Sequence, residues 1–284
     1  MITYILAFIL ALSIFQEVRF FLIKRRIKGS PEIKKGIEAF LLKGGKKGIL
    51  MIHGFSSSPH ELITLGKQLN RKGFTVYAPL LTGHGTTPEH MAVAKWHQWI
   101  GEAEKGLGLL NTMCNEIWVM GNSMGGNIAL HIASKNKKIK GLICMSTPIK
   151  FKMRFEFLKY IVPILRRIKI FQRKTYSKAY LKRLKKFRAT SYRMIPLISL
   201  VHLQKIIKTS VKSLPEISAP ILIIQARPDS ILDEKSAQYI YSNVASEKKQ
   251  IIWVGSTYHN IIVDEGKKKV KIFKAIRGFI DETK

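Results

Sequence analysis

Acidic residues are scarce in this chain. Across 284 residues, 18 Asp and Glu face 49 Lys and Arg, a formal net charge of +31. No stretch resembles a nucleic-acid-binding module, and the cations are spread along the chain as well as clustered, so nucleic acid is not the expected partner. Attraction to an anionic membrane, over a background bias toward Lys and Ile, fits the charge better. Cysteine is equally sparse: Cys114 and Cys144 each lie in or beside an apolar segment, with no Cys-x-x-Cys pair. Two reduced, buried thiols are expected, and nothing asks for an oxidising compartment. His-Glu-x-x-His and other metal-ligand spacings are missing, so neither a metal nor a cofactor is implied. Internal repeats and long disordered tracts are missing too.

The first 16 residues carry no formal side-chain charge; Glu17 and Arg19 interrupt, and Lys24, Arg25, Arg26 and Lys28 follow. A cleaved signal peptide has its positive charge before the apolar core, the reverse of this order. Residues 1–28 are therefore expected to form an uncleaved membrane anchor, a single helix with its basic flank on the cytoplasmic side along with the rest of the chain. A helix lying in the membrane interface is the alternative. Gly29 to Gly36, broken by Pro31, reads as a linker.

Beyond it, apolar runs alternate with helical spacing. Strands are expected at Glu38–Lys43, at Gly48–Phe55 with His-Gly-Phe at its end, at Phe74–Leu80, around Ile117–Val119, and at Ile139–Met145, Ala219–Ala226 and Lys249–Val254. Helices are expected at His60–Arg71, Trp96–Leu110, Asn127–Ala133, Lys235–Val244 and from Gly266 onward. Such alternation predicts an α/β fold with a mainly parallel sheet covered on both faces. The rhythm breaks at residues 150–212, where nineteen Lys/Arg accompany one acid, Glu156, with interleaved aromatics including Phe151, Phe155, Tyr160, Tyr176, Tyr180 and Phe187. This reads as a mostly helical insert dividing a core of 29–149 and 213–284, with a cationic face suited to anionic lipid.

The segment Gly121-Asn122-Ser123-Met124-Gly125 joins an apolar strand to a helix. A serine on so sharp a bend presents its hydroxyl above the sheet, beside the first helical N–H groups. Serine-based acyl transfer needs a base and an orienting carboxylate, in the chain order serine, acid, histidine, each in a loop at a strand's carboxyl end. Ser123, Asp229 and His259 satisfy that order. Asp229 directly follows its strand, whereas Asp233 and Glu234 are better suited to opening the next helix. For the oxyanion, the backbone N–H groups of Met124 and Phe55 are the natural donors. His53 and His84 are expected to shape their own loops and His131 to pack.

Taken together, His53-Gly54-Phe55, Gly83-His84-Gly85, Gly121-Asn122-Ser123-Met124-Gly125-Gly126, Gln225-Ala226-Arg227-Pro228-Asp229 and His259 resemble the α/β-hydrolase superfamily, in its bacterial carboxylesterase and monoacylglycerol lipase branch. The resemblance runs from about Glu38 to the C-terminus. It implies Ser123 as nucleophile, Asp229 and His259 as its partners, Phe55 and Met124 as oxyanion donors, and a small helical cap matching the insert. The activity so implied is cleavage of a small-molecule acyl or monoacylglycerol-like ester through an acyl-serine. A serine aminopeptidase, a thioesterase, a lysophospholipase, or a silent membrane-docked relative are the alternatives. Peptide cleavage would need acids to hold a free amine, and the insert offers only Glu156.

Overall fold

A computed structural model describes residues 2–27, 32–178, 181, 182, 184, 191–256, 258–263 and 266–283. Lys28 to Pro31 of the expected flank and linker, Tyr180 and Phe187 of the insert, and Thr257 lie outside the described residues.

The parallel strands form because nearly every side chain along them is apolar, and both faces can therefore be buried. Strands β1 (Phe40–Leu42), β2 (Lys47–Ile52), β3 (Thr75–Ala78), β4 (Glu116–Asn122) and β5 (Ile139–Met145) come first. A separate pair, β6 (Phe171–Arg173) and β7 (Met194–Pro196), precedes β8 (Ile221–Ala226) and β9 (Lys249–Val254). Among the described residues one seven-stranded sheet runs in the order β1-β3-β2-β4-β5-β8-β9. Only β1 is antiparallel to its neighbour; the other pairings are parallel. In register, Ile52 lies beside Gly121, and Asn122 beside Met145, so the strand ends that carry the loops line up along one edge.

Alternate residues of each strand feed two cores. Leu50, Ile52, Val119, Leu142 and Ile223 pack under Trp99, Ala103 and Leu107 of helix α4 (Trp96–Met113) and Ile128 and Ile132 of α5 (Met124–Lys135). Ile49, Met51, Trp118, Ile143 and Leu222 face the other way, toward Leu65 and Leu69 of α2 (Ile63–Asn70) and the C-terminal helix Lys267–Glu282 with Ile272, Ile276 and Phe279. The short α3 (Pro88–Val93), capped by Thr87, rises from a segment whose turn-rich composition suggests only loop. Cys114 and Cys144 are free and buried, and burial pushes the Cys144 thiol up to about 12.

Between β5 and β8 lie α6 (Met153–Glu156), α7 (Leu158–Leu165), the antiparallel β6–β7 pair and α8 (Leu197–Ser213). The β6–β7 pair adds strand to the expected mostly helical insert: three-residue strands are too short to show a period. α8 is welded to the core, with Ser210 Oγ accepting from Asn127 Nδ2 at 2.8 Å and Ser199 Oγ donating to the Met91 carbonyl at 2.9 Å.

The first helix, α1 (Ile2–Arg26), leaves Tyr4, Phe8, Ile14, Phe15 and Phe21 exposed. Among the described residues no helix is long and apolar enough to cross a membrane, which corrects the expected spanning anchor. Glu17 and Arg19 interrupt the apolar run of α1, and at ~1.5 Å per residue the uncharged part before them rises only about 22 Å against a hydrocarbon core of ~30 Å. The charge-based assignment of a cytoplasmic face requires a span and falls with it.

Candidate active site

Ser123 begins α5 in a conformation that side chains rarely adopt, φ 52° and ψ −120°. Its neighbours explain how the bend is possible. A Cβ at Gly121 would sit 2.1 Å from the Gly125 carbonyl oxygen, and one at Gly125 would sit 2.1 Å from the Ile52 carbonyl oxygen. Only glycine lets the helix start pass so close to the β2 terminus. The bend is held by Ser123 N–H donating to the Met145 carbonyl, and Gly126 N–H to the Ser123 carbonyl, both at 2.8 Å.

Three distant segments meet at this serine. Ser123 Oγ is 2.8 Å from His259 Nε2, and His259 Nδ1 is 3.0 Å from Asp229 Oδ2. Since a carboxylate only accepts, Nδ1 carries the proton toward Asp229, which leaves Nε2 free to accept from the serine. Asp229 is almost fully buried and held from several directions. Its Oδ1 accepts from the Ile231 and Leu232 N–H groups at 2.7 and 3.0 Å, and its Oδ2 from Gln225 Nε2 at 3.2 Å. Burial works to raise its pKa, but the hydrogen bonds from His259 and from the two backbone N–H groups prevail, and the carboxyl ends below its ordinary range.

The other expected residues sort as follows. Asp233 Oδ1 accepts from the Lys235 N–H at 2.9 Å, and Glu234 pairs with Arg227 at 2.6 Å, so both serve the start of helix α9 (Lys235–Asn243). His53 ties its own loop to the one after β3, 2.9 Å from the Gly54 carbonyl and accepting from the Leu81 N–H at 3.2 Å. Burial, then the neighbouring His84, holds it well below the usual imidazole range. His84 lies against Phe55 and Trp99, and burial lowers it to about 4. His131 packs against Ser213 at 3.1 Å. The loop of Phe55 touches the serine: a Cβ at Gly54 would be 3.4 Å from the Ser123 Cβ. Among the described residues neither the Phe55 nor the Met124 N–H is taken by a turn or cap hydrogen bond. No cluster of three or more His, Cys, Asp or Glu gathers among the described residues.

One residue went unnoticed in the sequence. Glu61, buried at the start of the segment after β2, accepts from Gly54 N–H at 2.7 Å, Ser57 Oγ at 2.6 Å, Asn122 Nδ2 at 2.9 Å and Asn260 Nδ2 at 3.1 Å. A single carboxylate thus ties together the loops that carry Phe55, Ser123 and His259. The available signal was an acid in an acid-poor chain, three residues after a serine that opens a helix.

A parallel sheet with this strand order, a serine at a glycine-tight strand-to-helix bend, and a histidine and aspartate arriving later in the chain define an α/β-hydrolase. The family model described as serine aminopeptidase S33 matches residues 45–266, and the chain belongs to that family. It is 28% identical over 239 residues to a thermostable monoacylglycerol lipase from Bacillus sp. (strain H-257), covering 82% of this chain and 90% of the relative. It is 30% identical over 227 residues to a carboxylesterase from Bacillus subtilis (strain 168), covering 80% and 89%. Among solved structures, one from a study of LipS and LipT, two metagenome-derived lipolytic enzymes, superposes with a TM-score of 0.79 at 25% identity, over 88% of this chain and 100% of the other. The chain is therefore a hydrolase of the lipase and esterase type.

Proposed function

We propose that the protein hydrolyses carboxylic esters of amphiphilic acyl substrates through an acyl-serine intermediate. The observation that carries this reading is the unbroken chain of hydrogen bonds from Ser123 through His259 to Asp229. In the first half-reaction the Ser123 proton passes to His259 Nε2 as Oγ bonds to the ester carbon. The carbonyl electron pair moves onto oxygen, where the Phe55 and Met124 N–H groups receive it. Collapse breaks the ester bond, and the leaving alkoxide takes the proton from His259. Water then repeats the sequence, freeing the acid and restoring the serine. Asp229 fixes the imidazole tautomer and stabilises the imidazolium.

Residues 150–212 cover this site in the proposed reading. Tyr192 supports it: its hydroxyl donates to the Gly83 carbonyl at 3.0 Å and accepts from Thr86 N–H at 2.7 Å, while its N–H donates to the Ser56 carbonyl at 3.2 Å. Peptide cleavage is disfavoured because Glu156 is already engaged by Lys159 and by the Phe151 N–H. Ser123→Ala is expected to lower turnover of p-nitrophenyl esters by roughly 10⁴-fold or more with the protein still folded. Retained turnover would assign the chemistry to another group.

The same reading puts α1 against an anionic lipid surface, its exposed aromatics in the headgroup region and Lys24, Arg25 and Arg26 paired with lipid phosphates. Removal of residues 1–28 is expected to weaken co-sedimentation with phosphatidylserine vesicles, and added salt to weaken what remains. Equal pelleting of the truncated and full chains would contradict it.

A further inference from the structure

Lys174 lies just past β6, its N–H donating to the Arg193 carbonyl at 2.7 Å. Its side chain leaves the cationic insert and turns toward the loop of Phe55. Nζ donates to Ser56 Oγ at 2.6 Å and to Ser191 Oγ at 3.2 Å, and it lies 5.6 Å from the centre of the Tyr176 ring. The Tyr176 hydroxyl is in turn 2.7 Å from Ser191 Oγ. Ser56 directly follows Phe55 and has a φ of 60°, a strained conformation of the kind that persists where surrounding structure demands it. Among the described residues no carboxylate pairs with Lys174.

A latch between insert and core would need only neutral hydroxyls. An ammonium there costs desolvation that two serine oxygens do not offset. Burial holds this lysine down to about 7. An ammonium has three donors, and Ser and Tyr hydroxyls rotate to donate as well as accept, so the group is equipped to receive negative oxygen.

We propose that Lys174, Ser56, Ser191 and Tyr176 form a subsite beside the reacting ester that binds an anionic oxygen of the substrate, a phosphate or carboxylate, selecting negatively charged amphiphilic esters. The proposal rests on the reading of Ser123 as the nucleophile of an ester hydrolase and extends it to substrate class. Free phosphate offers the same chemistry as a charged headgroup, so the test separates them.

The test measures calorimetric affinity for methyl dodecyl phosphate, a monoanion without a carboxylic ester, for its neutral counterpart 1-O-dodecylglycerol, and for inorganic phosphate. It uses the full chain, K174M, K174R and the exposed-lysine control K72M, in moderate salt to suppress surface charge. K174M is expected to lower the phosphate-over-neutral affinity ratio by about tenfold or more, and K72M by less than twofold. Wild-type affinity for the anion is expected to fall about tenfold between pH 6 and 8.5, as the ammonium loses its proton, while K174R holds it across that range. An unchanged ratio in K174M, an equal loss in K72M, or a wild-type affinity indifferent to pH would overturn the proposal. If K174M does not fold, the K174R pH profile decides. Inorganic phosphate binding as tightly as the amphiphile would replace the charged ester with a free anion as the ligand. Fluorophosphonate labelling of Ser123 in the same samples reads the hydrolase assignment separately. Label without anion preference removes only the subsite, and preference without label removes only the chemistry.

Discussion

Glu61 and Lys174 both reach the loop that carries Phe55, one from the core and one from the insert, and they are satisfied in opposite ways. The carboxylate accepts from four groups on three loops, so its charge is fully solvated by the protein. The ammonium meets neutral hydroxyls and, among the described residues, no carboxylate. The comparison separates two tasks. Glu61 finds its partners within the core, whereas in the proposed subsite the charge of Lys174 is kept for an anionic oxygen of the substrate.

The largest effect that would break this division is at the core's other carboxylate. Asp229→Asn places an amide N–H against His259 Nδ1 and favours the wrong imidazole tautomer, so kcat is expected to drop by roughly 10³–10⁴-fold. A loss below tenfold in steady-state ester kinetics would remove Asp229 from the mechanism. Glu61→Gln keeps the shape but exchanges one acceptor for an amide that opposes Asn260 Nδ2. The three loops then lose register, and kcat is expected to fall roughly 10- to 100-fold with KM little changed. A change confined to KM would make Glu61 a substrate contact instead.

The smallest effect concerns Lys174. Burial lowers it from 10.5 to about 7, so between those values the unfolded chain holds a proton that the folded chain has released. Stability must therefore rise with pH across that window, and the full penalty of the buried charge is felt below it. In urea titrations wild type is expected to gain on K174M as pH rises from about 7 to 10. Parallel curves would mean that the ammonium is no worse off in the fold than in water.

Much of the fold was legible because a sheet buried on both faces writes continuous apolar runs into the chain. Ile139–Met145 and Lys249–Val254 appear with the expected ends, and the strand before Ser123 runs straight into the expected bend. The meeting of Ser123, Asp229 and His259 could be anticipated because each sits where a strand stops, and parallel strands stop on the same edge. The hub at Glu61 could not be, since its partners lie as far away as Asn122 and Asn260 and leave no local pattern. The β6–β7 pair and α3 were hidden by brevity. α1 was misjudged as a span because uncharged length was counted across Glu17 and Arg19. Lys174 looked like one cation among many, and only its position beside Ser56 sets it apart.

The most direct test of the central claim is mass spectrometry of the intact, folded protein after treatment with a fluorophosphonate. The account predicts a single adduct on the peptide that carries Ser123, abolished in Ser123→Ala and greatly slowed in Asp229→Asn. An adduct on any other serine, or undiminished labelling of Ser123→Ala, would contradict it.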